Sequence, residues 1–135
     1  MGGDEELDRW VKVQEEHALH IYGTSTTVGW SLFSDLQLPV PSRVMDLGMN
    51  GGWVVKRWFE LGHDAYGCDL PVLAEKARKD HPEISGRLMD CNLEVEEIPI
   101  PSGKYDLVIA TGVMEHLVNW RLFMGKVSRV LNPWG

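Results

Sequence analysis

The stretch Arg43-Val44-Met45-Asp46-Leu47-Gly48-Met49-Asn50-Gly51-Gly52 decides the fold. Arg43 to Leu47 is a short, mostly apolar run, the pattern of a buried strand. Gly48, Gly51 and Gly52 follow at once; without Cβ atoms they let the chain turn sharply and approach a ligand closely. Gly52 to Leu61 then reads as a helix, with Gly62 just past its end. A strand running through a glycine turn into a helix opens an α/β unit. The Pro39-Val40-Pro41-Ser42 segment before it is a stop signal that separates this unit from what precedes it.

Reading onward, strands and helices alternate. Asp64 to Cys68 is a second strand, and Pro71 to Lys79 a helix with proline in its first turn. Ser85 to Met89 is a third strand, followed by a proline-containing loop from Glu94 to Gly103. Tyr105 to Thr111 is a fourth strand, and its Leu-Val-Ile-Ala core suits burial on both faces. Asn119 to Leu131 is a third helix, closed by Asn132-Pro133. This order predicts an α/β fold: a Rossmann-like, doubly wound, mostly parallel sheet of about four strands. Upstream, Leu7, Trp10, Val11, Ala18 and Ile21 recur at helical spacing within Asp4 to Tyr22, and Val28 to Leu38 holds a second short helix. Residues 1–42 are therefore expected to be a helical segment on the lid or substrate side, and residues 43–135 the sheet core.

The chain has 135 residues, enough for one domain, and a formal net charge of −7. Its thirteen basic residues are scattered among twenty acidic ones, which argues against nucleic acid as a partner. No apolar run is long enough to span a membrane. Cys68 and Cys91, the two cysteines, lie outside any CxxC pair and fit a reduced, cytoplasmic protein. The five histidines have no metal-ligand spacing; His17 and His20, three apart, read as a helix surface, and no metal is expected.

Chemistry-bearing residues gather after successive strands. In an open α/β sheet, ligands sit beyond the carboxyl ends of the strands, where the strand order reverses. The glycine turn comes after the first strand, although such a cluster can also serve only to connect strand to helix. Asp69 ends the second strand, 23 residues after Asp46, where an acid can accept hydrogen bonds from both ribose hydroxyls of a nucleoside. Leu70 follows it and can pack on an adenine face. Asp90-Cys91-Asn92 follows the third strand: the acid can take an adenine amino group and backbone N–H groups can read the ring edge, or the segment can be a simple Asx turn. Each feature alone is weak. Three on one sheet edge point to a nucleoside site.

Four segments resemble class I S-adenosylmethionine (SAM)-dependent methyltransferases, particularly the small-molecule type. Val44 to Gly52 resembles their first motif, a hydrophobic strand entering D-x-G-x-G-x-G. Tyr66-Gly67-Cys68-Asp69 resembles their ribose-binding acidic motif. Tyr105 to Ala110 with Val113-Met114-Glu115-His116-Leu117 is similar to their fourth-strand segment, and Arg129 to Gly135 to the R-V-L-K-P-G-G stretch before strand five. The resemblance covers about residues 43 to 135. It implies SAM as cofactor, held by Asp46, Gly48, Met49, Asn50, Gly52, Asp69, Leu70, Asp90, Cys91 and Thr111. It implies methyl transfer to a small-molecule acceptor, with His116 as the candidate general base and Tyr22 and Trp30 as lid residues. Asn50 departs from the motif's middle glycine, and Trp134 from a glycine of the last stretch. The family sheet continues beyond four strands, so the core is expected to be truncated, or its fourth-strand edge covered by a second copy or a partner chain. A degenerate SAM-binding module acting as a regulatory subunit is the alternative reading. A nicotinamide enzyme fits less well, because G-x-G-x-x-G is missing: Asn50 takes the second glycine position.

Overall fold

The computed structural model of the chain describes residues 5, 9, 35–111 and 113–135. The expected N-terminal helices, His17, His20, Tyr22 and Trp30 lie outside the described residues. Contacts divide the chain into two compact units, Met1–Leu36 and Gln37–Gly135. The second begins a few residues before the expected boundary, and Ser42, at its expected edge, is tied into it: the Ser42 amide donates to Nδ1 of His63 at 3.0 Å.

Within it run strand β1 (Arg43–Leu47), helix α1 (Trp53–Glu60), strand β2 (Asp64–Asp69), helix α2 (Pro71–Asp80), a 3-10 turn (Pro82–Arg87), strand β3 (Leu88–Asp90), strand β4 (Leu107–Ile109), a second 3-10 turn (Met114–His116) and helix α3 (Trp120–Val130). The four strands form one sheet in the order β3-β2-β1-β4, with every pair parallel. The chain winds outward from β1 to β3, then crosses back to lay β4 on the other side of β1. The order therefore reverses at β1, which fixes where a ligand crevice opens.

The sequence accounts for most of these elements. Helix α1 ends in a Schellman turn: Gly62 has φ 93°, its amide bonds the Phe59 carbonyl at 3.0 Å, and the His63 amide bonds that of Trp58 at 3.1 Å. Asn119 caps α3 by accepting from the Leu122 amide at 3.0 Å. Met45 and Leu47 on β1 stand level with Tyr66 and Cys68 on β2 and share a core with Phe123, Val127 and Val130 of α3. Alternation sends Val44 and Ala65 to the opposite face, both fully enclosed.

Two strands differ from expectation. The third is shifted toward the C-terminus, Leu88–Asp90 rather than Ser85 to Met89, because residues 82–87 coil into the 3-10 turn. The fourth keeps only Leu107–Ile109 of the expected Tyr105 to Thr111, paired with Val44–Asp46 of β1. Its start is used differently. Tyr105 bridges in parallel to Leu131, donating to the Val130 carbonyl at 2.7 Å and accepting from the Asn132 amide at 2.8 Å. The segment after α3 thus begins to run beside β4, on the edge away from β1. Among the described residues, no strand pairs with that edge at Leu107–Ile109. No helix of the described residues is long and apolar enough to cross a membrane.

Candidate functional site

The carboxyl ends of β1 and β2 place two acids together. Asp46 is level with Gly67, and alternation along β2 turns Gly67 and Asp69 to the same face. The two carboxylates are therefore neighbours on one side of the sheet, and both are buried. Burial pushes the Asp46 carboxyl up to about 8, and the charge of Asp69 adds to the rise. Burial also raises Asp69, against the pull of two backbone N–H donors.

Those donors knit Asp69 to the glycine turn. One oxygen accepts from the Asn50 amide at 2.9 Å and the other from the Leu70 amide at 2.8 Å. Asn50 aims its N–H this way by adopting the left-handed conformation, φ 50°, which asparagine tolerates better than most residues. The departure from glycine at Asn50 thus leaves the turn intact. Each carboxylate oxygen keeps a lone pair, so Asp69 can still accept from a ligand's hydroxyls. The turn is anchored further by Gly48 and Met49, whose amides both bond the Cys68 carbonyl, at 2.9 and 3.1 Å. Gly48 is required twice over: its φ is 69°, and a Cβ there would lie 2.7 Å from Cγ2 of Val113. Gly52, also left-handed with φ 79°, starts helix α1.

Other expected site residues fare differently. The Met49 side chain is buried against β2, with its sulfur over Gly67, so it supports the turn from within the core. The amides after β3 are already used: Cys91 donates to the Asp69 carbonyl at 2.8 Å and Asn92 to the Glu96 carboxylate at 2.9 Å. These two amides are engaged within the chain itself. The reason is the short β3, after which the chain turns back on itself. The Cys91 thiol is buried, with Sγ 3.6 Å from the Glu97 carbonyl. Asp90 is exposed and paired with Arg78 of α2 at 3.0 Å, a guanidinium that also holds the Leu88 carbonyl. Leu70 is half-buried at the start of α2, and Thr111 is exposed just past β4. His116 sits in the second 3-10 turn with its side chain 41% exposed and Nε2 3.7 Å from the Glu115 carboxylate. The structure brings together Asp46, Gly48, Asn50, Gly52, Asp69 and Leu70, with Asp90 and Cys91 next to them. His116 stands apart on the loop after β4.

The loop that carries Cys91 is strapped to the β4–α3 region. Lys126 of α3, buried, donates to the Leu93 carbonyl at 3.0 Å; the Val118 amide donates to the Glu94 carboxylate at 2.9 Å; Arg129 pairs with Glu97 at 3.1 Å. Sequence reading missed these straps, and also Arg78 and His81. Only the helical spacing of Lys126 and Arg129 hinted that they share a face.

Comparison with known proteins bears on this geometry. A family model described as Methyltransferase domain matches residues 45–135, the glycine turn and everything after it. The chain belongs to the methyltransferase-domain family. Among the relatives of this methyltransferase-domain chain is the ubiquinone biosynthesis O-methyltransferase of Rhodopseudomonas palustris (strain BisA53), 29% identical over 93 residues, which are 69% of this chain and 37% of that protein. The enzyme of the same name from Brucella anthropi is 30% identical over 94 residues, 69% of this chain and 38% of its own length. The chain thus spans between a third and two fifths of these curated relatives. In fold, it is similar to a TehB-like SAM-dependent methyltransferase from Corynebacterium glutamicum, with TM-score 0.72 and 24% identity over 92% of this chain and 70% of that one. The glycopeptide N-methyltransferase MtfA, complexed with sinefungin, gives TM-score 0.65 at 17% identity over 82% of this chain and 47% of that one.

Proposed function

We propose that this chain binds SAM at the carboxyl edge of its sheet and is the cofactor-binding part of a SAM-dependent methyltransferase acting on a small-molecule acceptor. One observation carries the reading: Asp69 is fixed by the glycine turn itself, through Asn50, beside a second buried acid, Asp46. The donor set suits a cationic nucleoside. Asp69 offers paired oxygens to ribose hydroxyls. Burial and Asp69 hold Asp46 largely protonated near neutral pH, and a positively charged ligand beside it would favour its ionised form. Gly48, left-handed and packed against Val113, keeps the turn tight between β1 and the helix. Leu70 supplies an apolar surface for a base.

SAM supplies a methyl group on a sulfonium, a good leaving group for in-line displacement. The work left to the protein is alignment and exclusion of water. Where the acceptor must lose a proton, His116 is the general base, because it follows β4 on the same edge as the turn. Its exposure equally suits the second reading, a module that binds the nucleoside without turning it over. The O- and N-methyltransferase relatives favour catalysis, and the reading extends to a reduced, cytoplasmic setting. The outer edge of β4 at Leu107–Ile109 is the place for further sheet, from a second copy or a partner chain.

Calorimetry with SAM, S-adenosylhomocysteine and NAD tests the site. SAM and S-adenosylhomocysteine should bind and NAD should not. Asp69→Ala should weaken SAM by about 1–3 kcal/mol through loss of the ribose hydrogen bonds. Unchanged affinity would place the site elsewhere. Binding without turnover across a panel of small acceptors would favour the second reading.

A further inference from the structure

Asp46 is the acid of the site that the fold leaves without a partner. It is 5% exposed, and Asp69 beside it 9%. Asp69 is satisfied by the Asn50 and Leu70 amides. Among the described residues, no N–H or O–H donor reaches the Asp46 carboxyl and no cation pairs with it. Two buried carboxyls side by side, with donors for only one, do not both ionise freely; the proton stays on the one without donors. The groups around the pair leave this unrelieved. The Cys68 thiol on β2 is held neutral, first by its hydrogen bond with Cys91 and then by burial. On α1, whose Val55 packs over Gly67 beside Asp46, Lys56 is paired with Glu83 and Arg57 with Glu60, both at 3.2 Å. Beyond β4, His116 faces Glu115 at 3.7 Å. The carboxyl end of the sheet therefore holds one acid already set as an acceptor and one acid that carries a proton.

We propose that Asp46 receives the cationic part of the cofactor as a carboxylate and gives up its proton to solvent as the ligand binds. The proposal rests on the SAM-binding reading above. In this step the carboxyl O–H bond breaks, its electron pair stays on the carboxylate, and the proton passes to water or buffer. The ligand keeps its charge, so one positive charge replaces another beside Asp69. Burial, with the charge of Asp69 added, lifts the Asp46 carboxyl to about 8, so near neutral pH a proton is there to be displaced. SAM carries two cations, the sulfonium and the α-ammonium, and each presents the same chemistry to a carboxylate. Affinity for such a ligand rises as pH approaches about 8 and levels off above it, because less proton remains to be displaced.

The test counts protons. The full chain is titrated with SAM calorimetrically at pH 6.5, in buffers of different ionisation enthalpy. At that pH the α-ammonium groups of SAM and S-adenosylhomocysteine keep their protons. Wild type should release about one proton on binding SAM. Asp46→Asn keeps the shape but has no proton to lose, and should release almost none. Wild-type affinity for SAM should rise by up to about tenfold per pH unit from pH 6 to pH 8, while that of Asp46→Asn stays level. S-adenosylhomocysteine has the α-ammonium without the sulfonium and identifies the cation. Release with both ligands assigns it to the α-ammonium, release with SAM alone to the sulfonium, and either supports the proposal. If Asp46→Asn does not fold, wild type decides: release that fades as pH passes about 8 supports the proposal. No release by wild type, or equal release by wild type and variant, would overturn it while leaving the cofactor site standing. No binding of SAM by wild type at pH 8 would overturn the cofactor reading itself, and this proposal with it.

Discussion

The two ends of the sheet hold the same residue type in opposite states. At the carboxyl end, Asp46 and Asp69 are buried side by side, with no cation among their pKa influences, and both are pushed up. At the amino end, Asp64 is ringed by donors: Arg87 at 2.6 Å, Arg43 at 3.0 Å and the Ser102 hydroxyl at 3.0 Å. Partial burial raises its pKa, but these bonds outweigh it and bring the carboxyl to about 2. Asp106, also at that end, accepts from the Arg43 amide, Asn132 and the Trp134 indole. The amino end is electrostatically complete, and its acids stabilise the fold. At the carboxyl end no such partners surround Asp46, and burial keeps it largely protonated near neutral pH. Ionising a buried acid without a partner costs free energy, and a bound cation would offset that cost.

The largest expected effect breaks the contrast at Asp46. Its folded pKa of about 8 exceeds the unfolded value of 3.8. The folded chain therefore holds the proton more tightly, and its stability falls as pH rises from about 4 to about 8. Asp46→Asn cannot ionise. It should flatten that fall, on the order of several kcal/mol for a fully buried carboxyl, and raise the melting temperature at pH 8 while weakening SAM. Thermal melts across this range check it; an unchanged slope would mean that Asp46 is solvated. Smaller and opposite in sign, Asp64→Asn should lower stability at pH 7 by about 1 kcal/mol, allowing for solvent screening of its arginine partners. Its folded pKa is depressed, so the wild-type contribution is present above about pH 4 and disappears as pH falls toward 2. Urea unfolding at pH 7 and pH 3 should show the variant converging on wild type at the lower pH. Smallest, Trp134→Phe removes one indole bond to Asp106 from a side chain that is 75% exposed. It should cost less than about 1 kcal/mol and leave nucleoside affinity unchanged.

The same contrast separates what was legible in the sequence from what was not. Val44-Met45-Asp46-Leu47 and the glycines after it announced strand, turn and helix, and the structure follows them closely, because these are local properties of apolar alternation and missing Cβ atoms. Gly62 announced the end of α1 for the same reason. β3 and β4 were misjudged in length, since the extent of an edge strand depends on its neighbours and not on its own residues. Ser85 to Arg87 coil because Pro82 starts a turn, and Tyr105 turns its backbone bonds to the segment after α3. Trp134 looked like a departure from a glycine; only the fold brings Asp106 within reach of its indole.

By itself, the sequence determined the alternation of strands and helices, the glycine turn and the ordering of acids after β1, β2 and β3. These follow from periodicity and backbone sterics, which act within a few residues. The tertiary structure decided which acids are pushed up and which are held down, that Met49 and the Cys91 amide are spent inside the protein, and that His81 stands behind the turn. Ionisation, hydrogen-bond satisfaction and burial depend on groups that meet only when distant segments pack. Asp46, Asp64 and Asp69 are alike as letters, and the partners that the fold gives or withholds make them different.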